Sequence, residues 1–162
     1  MTALQQFREV AVAGFDAAVL GTAVTGTRLE HVALGGQGFR GSLVHGHARD
    51  IIFDMGCYRA PLLARGTMPD DAPTLALIVR SDGSARMNGR LIQRGACFYF
   101  TEGRELTYAT APMTEWVAVR VSRERLSVLG LQLPAAPDQL GTLPERSVAS
   151  LAASAAQVAR GC

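Results

Sequence analysis

Apolar and polar residues alternate in short bursts along the middle of the chain, and glycine-bearing turns separate the bursts. The runs "TLALIVR", "SARM", "RLIQ" and "ACFYFT" are rich in apolar, β-branched or aromatic side chains, the composition of strands. Asp82-Gly83, Asn88-Gly89, Arg94-Gly95 and Glu102-Gly103 punctuate them. Asp-Gly and Asn-Gly supply the positive φ angles that tight hairpin turns need. "ELTYAT" and "TEWVAVRVS" follow, and in the second Trp116, Ala118 and Arg120 alternate with Val117, Val119 and Val121. Upstream, "TRLEHVAL", "FRGSLVHGHA" and "DIIFDMG" also read as strands. Eight or nine short strands joined by close turns predict a mainly β protein, an antiparallel barrel or jelly roll.

Helical patterning is confined to the ends. Residues 1–10 and 15–24 are expected to form short helices, with Asp16 near the positive end of the second. "LPAAPDQLGTLPE" carries three prolines and reads as a linker or cap. Beyond it Val148, Leu151, Ala152, Ala155, Val158 and Ala159 recur at helical spacing, with Pro144 at the start and Gly161 at the stop. This small-residue amphipathic helix either caps the open end of the barrel or forms a dimer contact, since small residues let two helices approach closely. The expected division is a barrel with its lead-in over 1–133, and a linker plus helix over 134–162.

Composition narrows the class. At 162 residues the chain can bury one sizeable core. With 48% apolar and 19% charged residues it reads as a globular protein. No apolar run approaches the roughly 18 residues of a membrane span, so no membrane partner is expected. "MTALQQFREVAVAGFD" lacks a basic start followed by a clean apolar run, which predicts no signal peptide and a cytoplasmic home. The net charge is only +2, and the basic residues, all arginine, are scattered, which argues against a nucleic-acid surface in these residues. Cys57, Cys97 and Cys162 are far apart and form no CxxC pair, so they read as ordinary thiols.

One stretch suggests chemistry. "VHGHARD" places His45 and His47 on one face of a strand. An HxH pair is how one cupin motif begins to grip a metal ion, but binding needs three or four ligands. That motif continues, after a gap of three or four residues, with a Glu, where this chain has Ile51 or Ile52, and it adds a later His that is absent here. The remaining His31 lies upstream, and only an irregular set drawing on Glu30, Asp50 or Asp54 is left. No cofactor is called for. No GxSxG, P-loop, HExxH or GxGxxG after a strand is present, and no catalytic constellation is visible.

Hairpin parity decides where the histidines point. If Arg49-Asp50 is a two-residue turn, Ala48, Gly46 and Val44 face Ile51, Phe53 and Met55 on an apolar side. His47 and His45 then pair with Ile52 and Asp54 on the other side, away from the core. A three-residue turn would turn His45 and His47 inward beside Phe53 and Met55. The first register separates apolar from polar more cleanly and is the expected one, although the turn lacks Gly or Asn.

Several stretches, read in order, resemble one family. "FDAAVLGTAVTGTRLEHVALGGQGFRGSL", "DIIFDMGCYRAPLLARGTMPDDAPTLALIV" and "DGSARMNGRLIQRGACFYFTEGRELTYATAPMTEWVAVRVSRERL" are similar to the N-terminal regulatory domain of AraC-type transcriptional regulators, especially the ethanolamine-operon-regulator-like branch. The resemblance covers roughly residues 10–130 and rests on turn and packing patterns. It implies a cupin-like antiparallel β-barrel that senses a small-molecule effector and helps a regulator dimerise, here through the 145–160 helix. It also implies that DNA is contacted only through a C-terminal helix-turn-helix part absent from this chain. A barrel without metal can hold its ligand in an apolar cavity with a few polar anchors. The candidate ligand-binding residues are Phe53, Met55, Leu77, Phe98, Phe100, Tyr108 and Trp116, with His45 and His47 if they face inward. Arg59 and Arg65 either reach an anionic effector or form surface ion pairs. The competing readings are a metal-dependent cupin enzyme using His45 and His47, and a stand-alone small-molecule-binding protein.

Overall fold

The structure, a computed structural model, describes residues 6–36, 38–133 and 141–160. Two antiparallel sheets face each other across one apolar core. The larger is built from β1 (Gln6–Ala13), β3 (Arg40–Ala48), β4 (Ile51–Tyr58), β11 (Thr114–Val121), β6 (Thr74–Arg80), β9 (Ala96–Phe100) and the short β12 (Gly141–Thr142), in that order. The smaller runs β2 (Arg28–Ala33), β5 (Leu62–Thr67), β10 (Glu105–Ala109), β7 (Ala85–Met87) and β8 (Arg90–Ile92). Among the described residues there are three helices: α1 (Ala17–Leu20), α2 (Arg123–Val128) and α3 (Glu145–Arg160). The expected jelly-roll architecture is the observed one.

The turn chemistry explains much of this order. Asn88 and Gly89 take φ of 48° and 79°, so Met87 pairs directly with Arg90 across a two-residue turn. In α1, Asp16 is the N-cap, its carboxylate accepting from the Ala18 and Val19 amides at 3.0 Å. The helix expected over 15–24 stops after Leu20, and Thr22 and Thr27 then donate their hydroxyls back to the Val19 and Val24 carbonyls at 2.7 Å. Threonines that bond the backbone locally favour turns over helix.

The first expected helix is instead a strand over its described part. β1 pairs with β3 along its whole length, and Val12 faces the core. The edge of β3 offers backbone partners that outweigh local helical preference. β5 was not expected: "LLARGT" is interrupted by Arg65-Gly66, yet β2 and β10 hold it on both sides.

The β3–β4 hairpin has the expected two-residue register, with His45 opposite Asp54 and His47 opposite Ile52. Arg49 takes the positive φ, 57°, that a glycine would otherwise supply. The direction of the faces is the reverse of the expectation. Leu43, Asp54 and Tyr58 point inward, with His45 on the same side, while Val44, Phe53 and Met55 form the outer face. The physical reason is that both faces are covered. The smaller sheet covers one, and α3 lies on the other, with Val148 1% exposed. α3 therefore crosses the outer face of the larger sheet instead of capping a barrel mouth. The side chains of Ala155, Val158 and Ala159, and Gly161, lie outside the described residues.

Candidate functional site

The inner face has an aromatic end and a polar end. At the first, Phe39, Tyr58 and Trp116 form a chain with ring centroids 6.0 and 6.1 Å apart. Gly56 makes this possible, because a Cβ there would meet the Trp116 indole. Burial pushes the Tyr58 and Tyr108 phenols far above their ordinary range, so both stay neutral.

Between the sheets remains a cavity of about 50 Å³ walled by Leu29, His31, Tyr58, Tyr108 and Trp116 among others. Ligand pockets occupy roughly 300–1,000 Å³, so this space holds water at most. His31 Nδ1, Tyr108 Oη and Trp116 Nε1 are buried there without a hydrogen-bond partner among the described residues. Burial pushes the His31 pKa down, opposed by the Leu29 backbone.

At the polar end, Asp54 organises its neighbours. It accepts from the Thr25 amide at 2.8 Å and the Thr25 hydroxyl at 2.7 Å, and His45 Nδ1 lies 2.8 Å from Oδ1. The side chains of His45 and Asp54 are 20% and 3% exposed. With two donors already on the carboxylate, His45 Nδ1 carries the third proton, which leaves Nε2 outside the Asp54 network. Arg120, buried, donates to the Thr25 carbonyl at 2.9 Å and sits 3.3 Å from Asp71. Gly26, at φ +80°, passes so close that a Cβ would lie 2.6 Å from Arg120 Nη1. The network thus clamps residues 25–26 onto the inner wall. Asp54 is fully engaged and His47 is exposed, so the HxH pair does not converge. Among the described residues no group of three or more His, Cys, Asp or Glu is arranged to hold a metal ion.

Outside this clamp lies a cleft of about 580 Å³ between α1 with its following turn and the inner side of β1 and β3. Arg8, Val10, Val19, Val24 and His45 are among its walls. On the outer face, clefts of about 370 and 130 Å³ flank α3.

The candidate ligand residues therefore separate. Phe100, Tyr108 and Trp116 line the small interior cavity, while Phe98, stacked on Phe100 at 6.2 Å, packs in the core and also borders the larger outer cleft. Phe53, Met55 and Leu77 instead line the outer clefts, because the face that looked core-directed is the one under α3. His45 borders the inner cleft, and His47 lines none of these cavities. Arg59 and Arg65 are exposed and border none of them. Thr25 and Arg8 were missed in the sequence, where nothing marks them. Arg120 has a signal, a cation in phase with Trp116 and Ala118 on an otherwise apolar strand.

No protein-family model matches the chain, and no curated protein matches its sequence. Solved structures do. The AraC-like transcriptional activator CuxR superposes with a TM-score of 0.54 at 11% identity, over 76% of this chain and 50% of that one. An RmlC-like cupin from Shewanella frigidimarina gives 0.39 at 12% identity, over 61% of this chain and 89% of that one. Oxalate decarboxylase from Bacillus subtilis gives 0.40 at 13%, over 83% and 43%. This chain spans about half the length of the activator it resembles. Its two facing antiparallel sheets form a cupin-like fold. The fold is shared with the AraC-like transcriptional activator CuxR.

Proposed function

We propose that this chain is the regulatory domain of an AraC-type transcriptional regulator, without catalytic activity of its own, that responds to a small molecule and self-associates. The observation that carries this reading is the outer face of the larger sheet. It is apolar along Phe53, Met55, Leu75, Val117 and Val119, and α3 covers it only in part, leaving clefts on both flanks and Leu151 47% exposed. An apolar face of this kind marks an interaction surface, and a second copy presenting the same face gives a closed, isologous contact. The fold shared with CuxR supports the regulatory setting. On this reading DNA is contacted through a helix-turn-helix domain outside these residues, and the protein works in the cytoplasm. No helix among the described residues is long and apolar enough to cross a membrane.

Sedimentation velocity across micromolar concentrations tests the self-association, with a dimer expected and a monomer throughout counting against it. Elemental analysis of protein purified without chelator tests the absence of catalysis by a metal. Stoichiometric iron, zinc or manganese that disappears in His45→Ala would favour a metal-dependent cupin instead.

A further inference from the structure

We propose that the cleft between α1 and the β1–β3 ladder binds a small aliphatic carboxylate, its carboxyl group held between Arg8 and His45. At about 580 Å³ this cleft has the size of a ligand site, whereas the interior cavity of about 50 Å³ does not. Arg8 and His45 are its only ionisable lining residues among the described ones. They stand directly opposite each other in the β1–β3 register, so their side chains leave the sheet on one face as cross-strand neighbours. Arg8 forms no ion pair with any described residue.

Asp54, Asp16 and Glu9 do not compete, and Asp71 is paired with Arg120. Asp54 lies behind His45, buried and engaged by Thr25. Asp16 caps α1. Glu9 lies on the opposite face of β1 and borders an outer cleft. His45 donates to Asp54 through Nδ1–H and offers the ligand its Nε2–H, and the planar Arg8 fork donates to the same carboxylate. Asp54 fixes the ring for this task, as an orienting partner does at other histidine sites.

The rest of the wall sets the ligand's other end. Val10, Ala18, Val19 and Val24 are apolar. The hydroxyls of Thr22, Thr25 and Thr27 already donate to Val19, Asp54 and Val24, so no side-chain hydroxyl donor is left over for a sugar or polyol. A short aliphatic chain behind a single carboxylate matches both halves of the cleft. This supplies the effector class for the regulatory reading and rests on it for its biological role. Binding is measured on this chain whatever its state of association, so the two claims fail separately.

Titration calorimetry with butyrate and hexanoate, beside butyramide and inorganic phosphate, tests the site. Saturable binding of the carboxylates is expected, with none of the amide. Arg8→Gln should weaken it by about ten-fold or more, the loss of one charge-assisted pair, while Arg40→Gln, an exposed cation outside the cleft, leaves it unchanged. Equal binding of butyramide, equal binding by Arg8→Gln, a response to phosphate alone, or no carboxylate binding at millimolar concentration would each overturn the assignment. Circular dichroism confirms that Arg8→Gln is folded.

Discussion

The two faces of the larger sheet are nearly equally apolar and differ in how they are finished. The inner face is packed over its centre: Leu43, Tyr58, Ile78, Phe100 and Trp116 are buried, and the Asp54 network ties residues 25–26 to its polar end, beside the cleft under α1. The outer face carries Phe53, Met55, Leu75, Val117 and Val119 only half buried, beneath one helix that does not span it. Apolar patterning alone cannot tell these faces apart. What separates them is that the apolar groups on one are buried against the smaller sheet, while those on the other are incompletely covered. The first is an interior, and the second is the proposed contact surface.

Substitutions on each face sharpen this contrast. Trp116→Ala on the inner face should cost about 4 kcal/mol in chemical denaturation, since it opens a cavity in a packed wall. Asp54→Ala should cost about 3 kcal/mol, because it strands the Thr25 amide, its hydroxyl and the His45 ring together. Phe53→Ser on the outer face should cost the monomer only about 1 kcal/mol while weakening self-association about ten-fold or more. A loss of several kcal/mol from the monomer would make the outer face a core like the inner one.

His31 tests the inner face through pH. Its folded pKa lies below the ordinary 6.5, so between these values the unfolded chain binds the extra proton. Stability is whole above about pH 6.5 and falls as pH drops below it, by up to ~1.4 kcal/mol per pH unit for one proton. Denaturation of His31→Gln across pH 5 to 7 should show that slope removed. The smallest effect is expected at the hairpin tip. Arg49→Gly should add up to about 1 kcal/mol by removing a non-glycine residue from the left-handed region at φ 57°.

Much of the fold was legible in the sequence, because alternation and Asn-Gly or Asp-Gly turns are local signals. The His45–Asp54 pairing followed from turn length alone. Its direction did not, because it depends on what lies above each face, and that is supplied by α3 about 100 residues away. The same limit explains why Phe53 and Met55 were expected inside. β1 was hidden for a similar reason, since its partner strand begins at Arg40. At the candidate site, His45 stood out, but Thr25 and Arg8 become its neighbours only through the fold.

The native thiols give the most direct test of the outer face. Cys57 and Cys97 border the clefts on either side of α3, half buried, and burial pushes both thiols up. In a Cys162→Ser background, their rate of modification by a thiol reagent should fall as protein concentration rises through the self-association range. Rates that stay the same at every concentration would show that no second copy covers this face, and would contradict the account.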